Sequence, residues 1–579
     1  MGCGDEVAAT QEAHMTFPTT IHASVGESII HKATRLFAGC VADALHELLQ
    51  NARRAGATRV DIRRFDRDSA TILRIRDDGR GIADPTKLLA LGDSGWDSDI
   101  ARSEDPAGMG VFSLAGRHVV IRSRPADAED GWQVTIPPQE WESGEPLELV
   151  PAIIAKGTEI EIELSKAWID ELGEAVKNAA RFYPLPVFYG EERQAHEAFL
   201  KEAVRVENWN GCSIGVFLDK YTPHREQARI NFHGLTVPCR LPHVHDADGG
   251  RGWYAKVDIV DAKNLQFVLP ARKEMVQNTA LDALREACQA AIFRTIAREG
   301  HHRLSYTQWL RARELGISLP EAAPFLHLWT PRIAETNDIF PGERIAGEPM
   351  VIMPTLSANI EQCVDRALKS ADGLGGSPVR AMLEFAGYGW YNALPRVLGL
   401  SFQVETDNET FHYDDGASVP DDVDSGRVGA ITLELAVRAT ADSEEPADIL
   451  AFPADVLIVP TDCCSDLDDV AILLGTDCAI TPGELASLLE ASCFWPNEDC
   501  DADSHYTQQA AFEMQARFAA NMLLLGEDAA VLERVREALR QHVTWLIPKD
   551  RAISMQAVNH LVEAAFADND DAPSVDAAE

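Results

Sequence analysis

The chain is short of positive charge: of its 579 residues, 52 are Lys or Arg against 92 Asp or Glu, a formal net charge of -40. Lysine is missing altogether between Lys369 and Lys549, while "ETDNETFHYDDGASVPDDVDSG" and the tail "FADNDDAPSVDAAE" are dense in acid. Such a surface favours solubility and repels phosphate backbones, which counts against nucleic acid as a general partner. The segment "NARRAGATRVDIRRF" still leaves room for a locally basic face. Nowhere do about 18 apolar residues run uninterrupted, which argues against a membrane span. The opening "MGCGDEVAATQEAHMTF" has no basic stretch followed by an apolar one, so a soluble, cytoplasmic protein with no membrane association is expected. CxxC spacing is lacking too. Eleven cysteines, an odd number, suit a reducing compartment better than a disulfide framework. Cys463, Cys464, Cys478, Cys493, Cys500 and His505 make only a weak zinc candidate without close-spaced pairs.

What is present is ordinary for a globular protein: 46% hydrophobic and 25% charged residues. The length implies roughly three or four domains, each able to bury a core. Residues 27–55 carry apolar residues at helical spacing without proline, and the spacing predicts a helix. "TRVDIRRF" and "ATILRIRD" read as paired strands, the second ending in "DDGRGI". Residues 83–107 are polar and mixed, as a loop would be, and "GMGVFSLAG" reads as a glycine pair opening an apolar helix. Strands follow at "HVVIRSR", "GWQVTI" and "KGTEIEIEL". A helix over "SKAWIDELGEAVKNAARFY" is stopped by Pro184 and Pro186. A second strand-rich region has strands at "CSIGVFLDKY", "ARINFHGLTVPCRL", "WYAKVDIVD" and "NLQFVLP", then the helix "TALDALREACQAAIFRTIAREG". Farther on, strands are expected at "EPMVIMP", "ILAFPADVLIVP" and "VAILLG", and helices at "TPGELASLLEA", "TQQAAFEMQARFAANMLLLG" and "AAVLERVREALRQHV". His243 to Gly250 reads as a polar hairpin tip, and His301 and His302 have no partner pattern.

Four elements in order suggest a nucleotide site. Glu47 and Asn51, four apart on a helix, share a face. Asn51 offers an oxygen to a magnesium ion, which takes most of its ligands from waters and phosphates. Glu47 is placed to take a proton from water attacking a γ-phosphate. Asp77, at a strand end, can accept from the exocyclic amine of adenine, with Gly79 and Gly81 removing side chains that would block the base. Gly108, Met109 and Gly110 put backbone N–H groups at a helix start, where phosphate is favoured. Gly157 and Thr158 open the last strand. Each part alone is weak; the ordered set is what carries the signal.

The set resembles the GHKL ATPases with their Bergerat-type fold: "ELLQNARRAGA" is similar to the first box, "RDDGRGI" to the second, "AGMGVFSLA" to the third and "KGTEIEI" to the fourth. The resemblance implies ATP and Mg2+ as cofactors, Glu47 as general base, Asn51 as metal ligand, Asp77 as adenine contact, Gly79 and Gly81 beside the base, Gly108, Met109 and Gly110 at the phosphates, Thr158 near the adenine pocket, and residues 83–107 as a lid. "FVLPARKEMVQNTALDALREAC" also resembles the middle domain of the ninety-kilodalton heat-shock chaperones. That likeness implies Lys273, Arg272 and Gln277 as groups delivered to the γ-phosphate from a second domain. Two departures stand out: Arg54 occupies a position that is often acidic in relatives, and the lid is short.

The expected fold class is α/β (α+β sandwich). The expected domains are an extension over 1–24, a GHKL ATP-binding domain over 25–190, a middle domain of ribosomal-S5-like or chaperone type over 191–310, a mixed α/β region over 311–563 and an acidic disordered tail over 564–579. The leading functional expectation is a magnesium-dependent, chaperone-like ATPase, in which ATP closes the lid and drives N-terminal homodimerisation to act on a protein client or partner complex. Two alternatives stay open: a nucleotide-gated scaffold with little turnover, and a MutL- or gyrase-like DNA-associated clamp. Histidine phosphotransfer is disfavoured, because the nearest histidine, His46, sits inside the nucleotide helix.

Overall fold

The computed structural model describes residues 40–89, 110–143, 145–219, 228–262, 264–268, 274–336, 342–407, 409–417, 424–460, 467, 470–496, 504–549 and 551–567. The chain divides into two compact units, one of residues up to Leu304 with Gln308–Pro320, the other of Ser305–Thr307 with Glu321 onward. Each is a mixture of helices and sheets, so the α/β expectation holds.

Helix α1 (Val41–Arg54) buries Val41, Ala44, Leu45, Leu48, Leu49 and Ala52, a stripe at spacings of three and four. It ends where Gly56 takes φ +68 and returns its amide to the Arg53 carbonyl at 2.9 Å. The expected start of this helix, residues 27–39, lies outside the described residues. Strands β1 (Val60–Arg67) and β2 (Ala70–Asp77) pair antiparallel with Val60 opposite Asp77. With β3 (Val119–Arg124), β4 (Gly131–Ile136), β5 (Leu149–Ala152), β6 (Gly157–Glu163), β7 (Val187–Tyr189) and β8 (Glu192–Arg193) they form one sheet, ordered β5-β4-β3-β6-β2-β1-β7-β8. Helix α1 and helix α2 (Lys166–Arg181) pack together over one face, where Leu45, Leu49, Ile62, Leu73, Ile121, Ile162, Leu172 and Val176 make the core. Each large aliphatic side chain buried there contributes about 2 kcal/mol.

The other face of the sheet is charged. Strand register puts Arg74 and Arg122 beside Glu161 and Glu159. Glu161, 3% exposed, accepts ion pairs from Arg67 at 3.0 Å, Arg74 at 3.2 Å and Arg122 at 3.4 Å. Burial opposes its ionisation, but Arg67 and Arg122 outweigh that and hold its carboxyl below the usual range. Of the basic run "NARRAGATRVDIRRF", Arg59 is paired with Asp61. Arg63 and Arg64 stay exposed.

One expectation in this part fails. The apolar helix of "GMGVFSLAG" is a five-residue 3-10 turn, Gly110–Leu114, packed against α1.

The second region of the unit is a sheet of β9 (Arg205–Trp209), β10 (Cys212–Asp219), β11 (Ala228–Phe232), β12 (Leu235–Pro238), β13 (His243–His245) and β14 (Gly252–Ile259). Helix α3 (Thr279–Glu299) packs on it; Asn278 caps the helix by accepting from the Leu281 amide, and Gly300 ends it at φ +74. Among the described residues of the expected strand "NLQFVLP", 264–268, the pairing is one bridge between Phe267 and Met275. His243 to Gly250 does form a strand and turn, with the Asp246 carboxylate 3.1 Å from Arg251. His302 is buried: Nε2 lies 2.8 Å from the Pro320 carbonyl and Nδ1 accepts from the Leu304 amide. Its role is structural.

The second unit holds a sheet of β15 (Met350–Met353), β16 (Ser377–Arg380), β17 (Arg396–Glu405), β18 (Thr410–Asp414), β20 (Ala430–Arg438) and β21 (Asp448–Ala454). Beside it lies a smaller sheet of β19 (Gly426–Val428), β22 (Val456–Pro460) and β23 (Val470–Gly475). The single strand expected over "ILAFPADVLIVP" is two, broken at Asp455, which pairs with Arg366 at 2.7 Å. The expected helices occur over Pro482–Cys493, His505–Leu525 and Glu527–His542. A terminal hairpin runs through Ala567, so the first residues of the expected disordered tail are strand. No helix among the described residues is long and apolar enough to cross a membrane.

Candidate nucleotide site

Helix α1 presents two polar stripes beside its apolar one. Asp43, Glu47, Asn51 and Arg54 follow one another at steps of four, four and three, and His46, Gln50 and Arg53 form the neighbouring stripe. Glu47 and Asn51 are part-exposed between the buried Leu48 and Ala52, so both reach a surface the core does not claim. The His46 imidazole is desolvated, and burial holds its pKa below 6.5 against the pull of Asp43. It is neutral at physiological pH.

Asp77 closes β2 directly opposite Thr158 on β6. Its Oδ1 accepts from the Gly79 amide at 2.9 Å, and the Thr158 amide supports it too. Burial nevertheless pushes its pKa from 3.8 up to about 6, outweighing those amides. The glycines around it answer to backbone. A Cβ on Gly157, at φ +117, would lie 2.1 Å from the Asp77 carbonyl oxygen. One on Gly81, at φ +71, would lie 2.3 Å from the Arg124 carbonyl oxygen, and one on Gly79 would meet the Ala55 Cβ at 2.7 Å.

Sequence reasoning missed the residue that ties these strands together. Ser123, fully buried, accepts from the Ile82 amide at 2.9 Å, donates to the Gly157 carbonyl at 3.1 Å and lies 3.2 Å from the Thr158 hydroxyl. The signal was there: Ser123 continues the inward-facing run of Val119 and Ile121, where a polar residue needs a reason. Asp78 was also passed over. It accepts the Thr58 amide at 2.6 Å, the Arg59 amide at 3.2 Å and the Thr58 hydroxyl, fixing the segment after α1 to the end of β2. Burial works against its ionisation, but those donors hold its carboxyl below the usual range.

Arg54 is brought to the magnesium candidate. It is 6% exposed, and its guanidinium donates to the Asn51 Oδ1 at 3.4 Å. That oxygen is the hard donor Mg2+ takes, and a bond this long is weak. The donor chemistry of Asn51 suits the ion, and the Arg54 guanidinium competes with it for the same oxygen.

Gly110 lies in the 3-10 turn against α1. Gln277 is engaged within the second region: its Nε2 donates to the Met275 carbonyl at 3.1 Å and its Oε1 accepts from Arg285 at 2.8 Å. Gly108, Met109, Arg272 and Lys273 lie outside the described residues, as does the lid beyond residue 89. In the zinc candidate, Cys463, Cys464 and Cys500 lie outside as well; Cys478 donates to Asp455 and His505 contacts Glu335 at 2.6 Å. Among the described residues no group of three or more His, Cys, Asp and Glu could hold a metal ion.

No family model matches the chain. Over 130 residues, 21% of its length, it is 33% identical to the DNA mismatch repair protein MutL of Actinobacillus succinogenes and to that of Azotobacter vinelandii. The chain spans about a fifth of the length of these relatives, 20% and 19%. Among solved structures, the ATPase domain of the mismatch repair endonuclease MutL of Aquifex aeolicus is 17% identical, with 33% of this chain and 75% of that one covered and a TM-score of 0.21. The MutL ATPase domain of Aquifex aeolicus complexed with ADP is 14% identical, with 34% and 83% covered and the same score. The sequence likeness to MutL supports the GHKL ATPase superfamily for the matched part of the chain.

Proposed function

We propose that the N-terminal region binds ATP with Mg2+ and hydrolyses it, and that the chain is a conformational ATPase of the GHKL kind. The observation that carries this is Asp77: a part-buried carboxyl at a strand end, directly opposite Thr158 and braced by the Gly79 and Thr158 amides, yet raised to about 6. Such an under-compensated acceptor is the signature of a site awaiting a donor. The exocyclic amine of adenine is that donor, with Thr158 and Ser123 fixing the floor beneath it.

The residues then divide the work. Gly108, Met109 and Gly110 offer amides to the phosphates. Asn51 holds the magnesium ion, which neutralises phosphate charge when bound. Glu47 takes a proton from water as the water oxygen bonds to the γ-phosphorus and ADP leaves. Lys273, Arg272 and Gln277 steady the transferring group from the second region, and residues 83–107 close over it. ATP binding pairs two copies through their N-terminal regions.

Of the assemblies weighed from sequence, the DNA-associated, MutL-like one is better supported than the chaperone-like one, because the relatives named above are mismatch repair proteins. A nucleotide-gated scaffold is the second reading, favoured by Arg54, whose cation shares the Asn51 oxygen. Equilibrium ATP titrations of the wild type and Asp77→Asn, with Mg2+ and with EDTA, test the proposal. The wild type should bind with Mg2+ and the variant about 10- to 100-fold more weakly, the worth of one hydrogen bond to a charged group. Equal affinities would remove Asp77 from the site. Wild-type binding that is undiminished in EDTA would favour the scaffold.

A further inference from the structure

The residue next to Asn51 is an amide that the nucleotide reading does not use. Gln50 lies in the stripe beside the catalytic one and is 1% exposed. A buried carboxamide needs partners, and its donors go to the second region: Nε2 donates to the His233 carbonyl at 2.8 Å and to the Phe232 carbonyl at 3.2 Å. Its Oε1 accepts from Arg53 at 3.4 Å.

The turn it grips is built to stay in one shape. His233 stands at φ +50 and Gly234 at φ +99, both in the region that costs a side chain energy. Asn231 accepts from the Gly234 amide at 3.0 Å and donates to Asp258 on β14 at 2.7 Å. From the other side, Tyr183 donates to the Leu49 carbonyl at 2.6 Å, and Gly234 sits so close that an added Cβ would be 3.0 Å from the Tyr183 Cα. The last turn of α1, the end of α2 and the β11–β12 turn are therefore one hydrogen-bonded junction. Leu49 anchors the junction to Tyr183, Gln50 reaches the second region, and Asn51 beside them is part-exposed on the stripe read as the nucleotide site.

We infer that Gln50 is a positioning residue, a latch through which the 231–234 turn sets where Glu47 and Asn51 stand for hydrolysis. Rotating or shifting α1 to bring Asn51 to the metal moves Gln50 against the two carbonyls, so the turn and the site change together. A misplacement of this kind affects the chemical step more than nucleotide affinity, since the adenine contact at Asp77 lies on β2 and not on α1. The inference rests on the ATP-hydrolysing reading above.

The test compares wild type, Gln50→Leu, Gln50→Lys and Asn231→Ala. For each, kcat, KM and equilibrium ATP affinity are measured, with amide hydrogen exchange over 228–238 in the presence and absence of ATP. Gln50→Leu should keep ATP affinity within about threefold while kcat falls about tenfold or more. Gln50→Lys, which retains a donor, should recover part of the loss. Asn231→Ala leaves α1 untouched but loosens the turn and should reproduce the kcat loss, which keeps the test standing if Gln50→Leu fails to fold. ATP should slow exchange over 228–238 in the wild type and not in Gln50→Leu. Wild-type kcat in both Gln50→Leu and Asn231→Ala, or exchange that ATP leaves unchanged in the wild type, overturns the latch while leaving the ATPase reading intact. A wild type that neither binds nor hydrolyses ATP overturns both.

Discussion

At the scale of single residues, the role proposed for Asp77 places binding and stability in opposition. The unfolded carboxyl releases its proton near pH 3.8, whereas the folded one holds it to about pH 6. The unfolded state thus binds fewer protons in that window, and stability falls as pH rises from about 4 to about 6 and levels off above. The gap corresponds to about 3 kcal/mol at neutral pH. Asp77→Asn, which keeps an oxygen for the Gly79 and Thr158 amides, should therefore raise the stability of the nucleotide-free protein by about 1–3 kcal/mol at pH 7.5 and much less at pH 4.5. Urea unfolding at the two pH values checks this, and a variant destabilised equally at both would contradict the raised pKa.

At the scale of elements, the strand ends make the proposed site, and their glycines leave little tolerance. Gly157→Ala would drive a Cβ into the Asp77 carbonyl at φ +117, with loss of β2–β6 pairing where the acceptor sits. A cost of about 2 kcal/mol or more is expected in urea unfolding, with ATP affinity reduced as well. An alanine variant as stable as the wild type would mean the strands can separate freely there. Much of this was legible in the sequence, because the residues obey local rules. The α1 stripe follows a period of 3.6 and β1, β2 and β6 alternate, but Gly79 and Gly81, expected to clear room for a base, make room for Ala55 and the Arg124 carbonyl. What was hidden depends on distant neighbours. Ser123 acquires its role only when β3 lies beside β6, and Gln50 only when a turn 183 residues away in sequence arrives at α1. "GMGVFSLAG" looked helical from composition alone, but Gly110–Leu114 closes as a 3-10 turn against α1. Asp455 ends one strand and starts another through its bond to Arg366, a partner that periodicity cannot supply.

At the scale of the whole molecule, a formal charge of -40 acts on every association the chain makes. Two copies paired by ATP, as proposed, would repel one another, so such a dimer should strengthen as salt rises from about 50 mM to 200 mM. A DNA complex answers in the opposite sense, losing affinity over the same range as counterions return to the phosphates. Sedimentation with a non-hydrolysable ATP analogue and DNA mobility shifts across that range separate the two behaviours. A dimer that weakens with salt would place attractive charge at its interface, against the acidic surface expected here.

The most direct measurement of the central claim is steady-state ATP hydrolysis beside ATP binding for the wild type and Glu47→Ala. Glu47 stands one turn before Asn51 on the part-exposed stripe of α1. If it takes the proton from attacking water, the variant should bind ATP as the wild type does and turn it over at least about 100-fold more slowly. A variant that hydrolyses ATP at the wild-type rate, or a wild type that binds ATP without turnover, would contradict the claim that this helix carries a hydrolytic site.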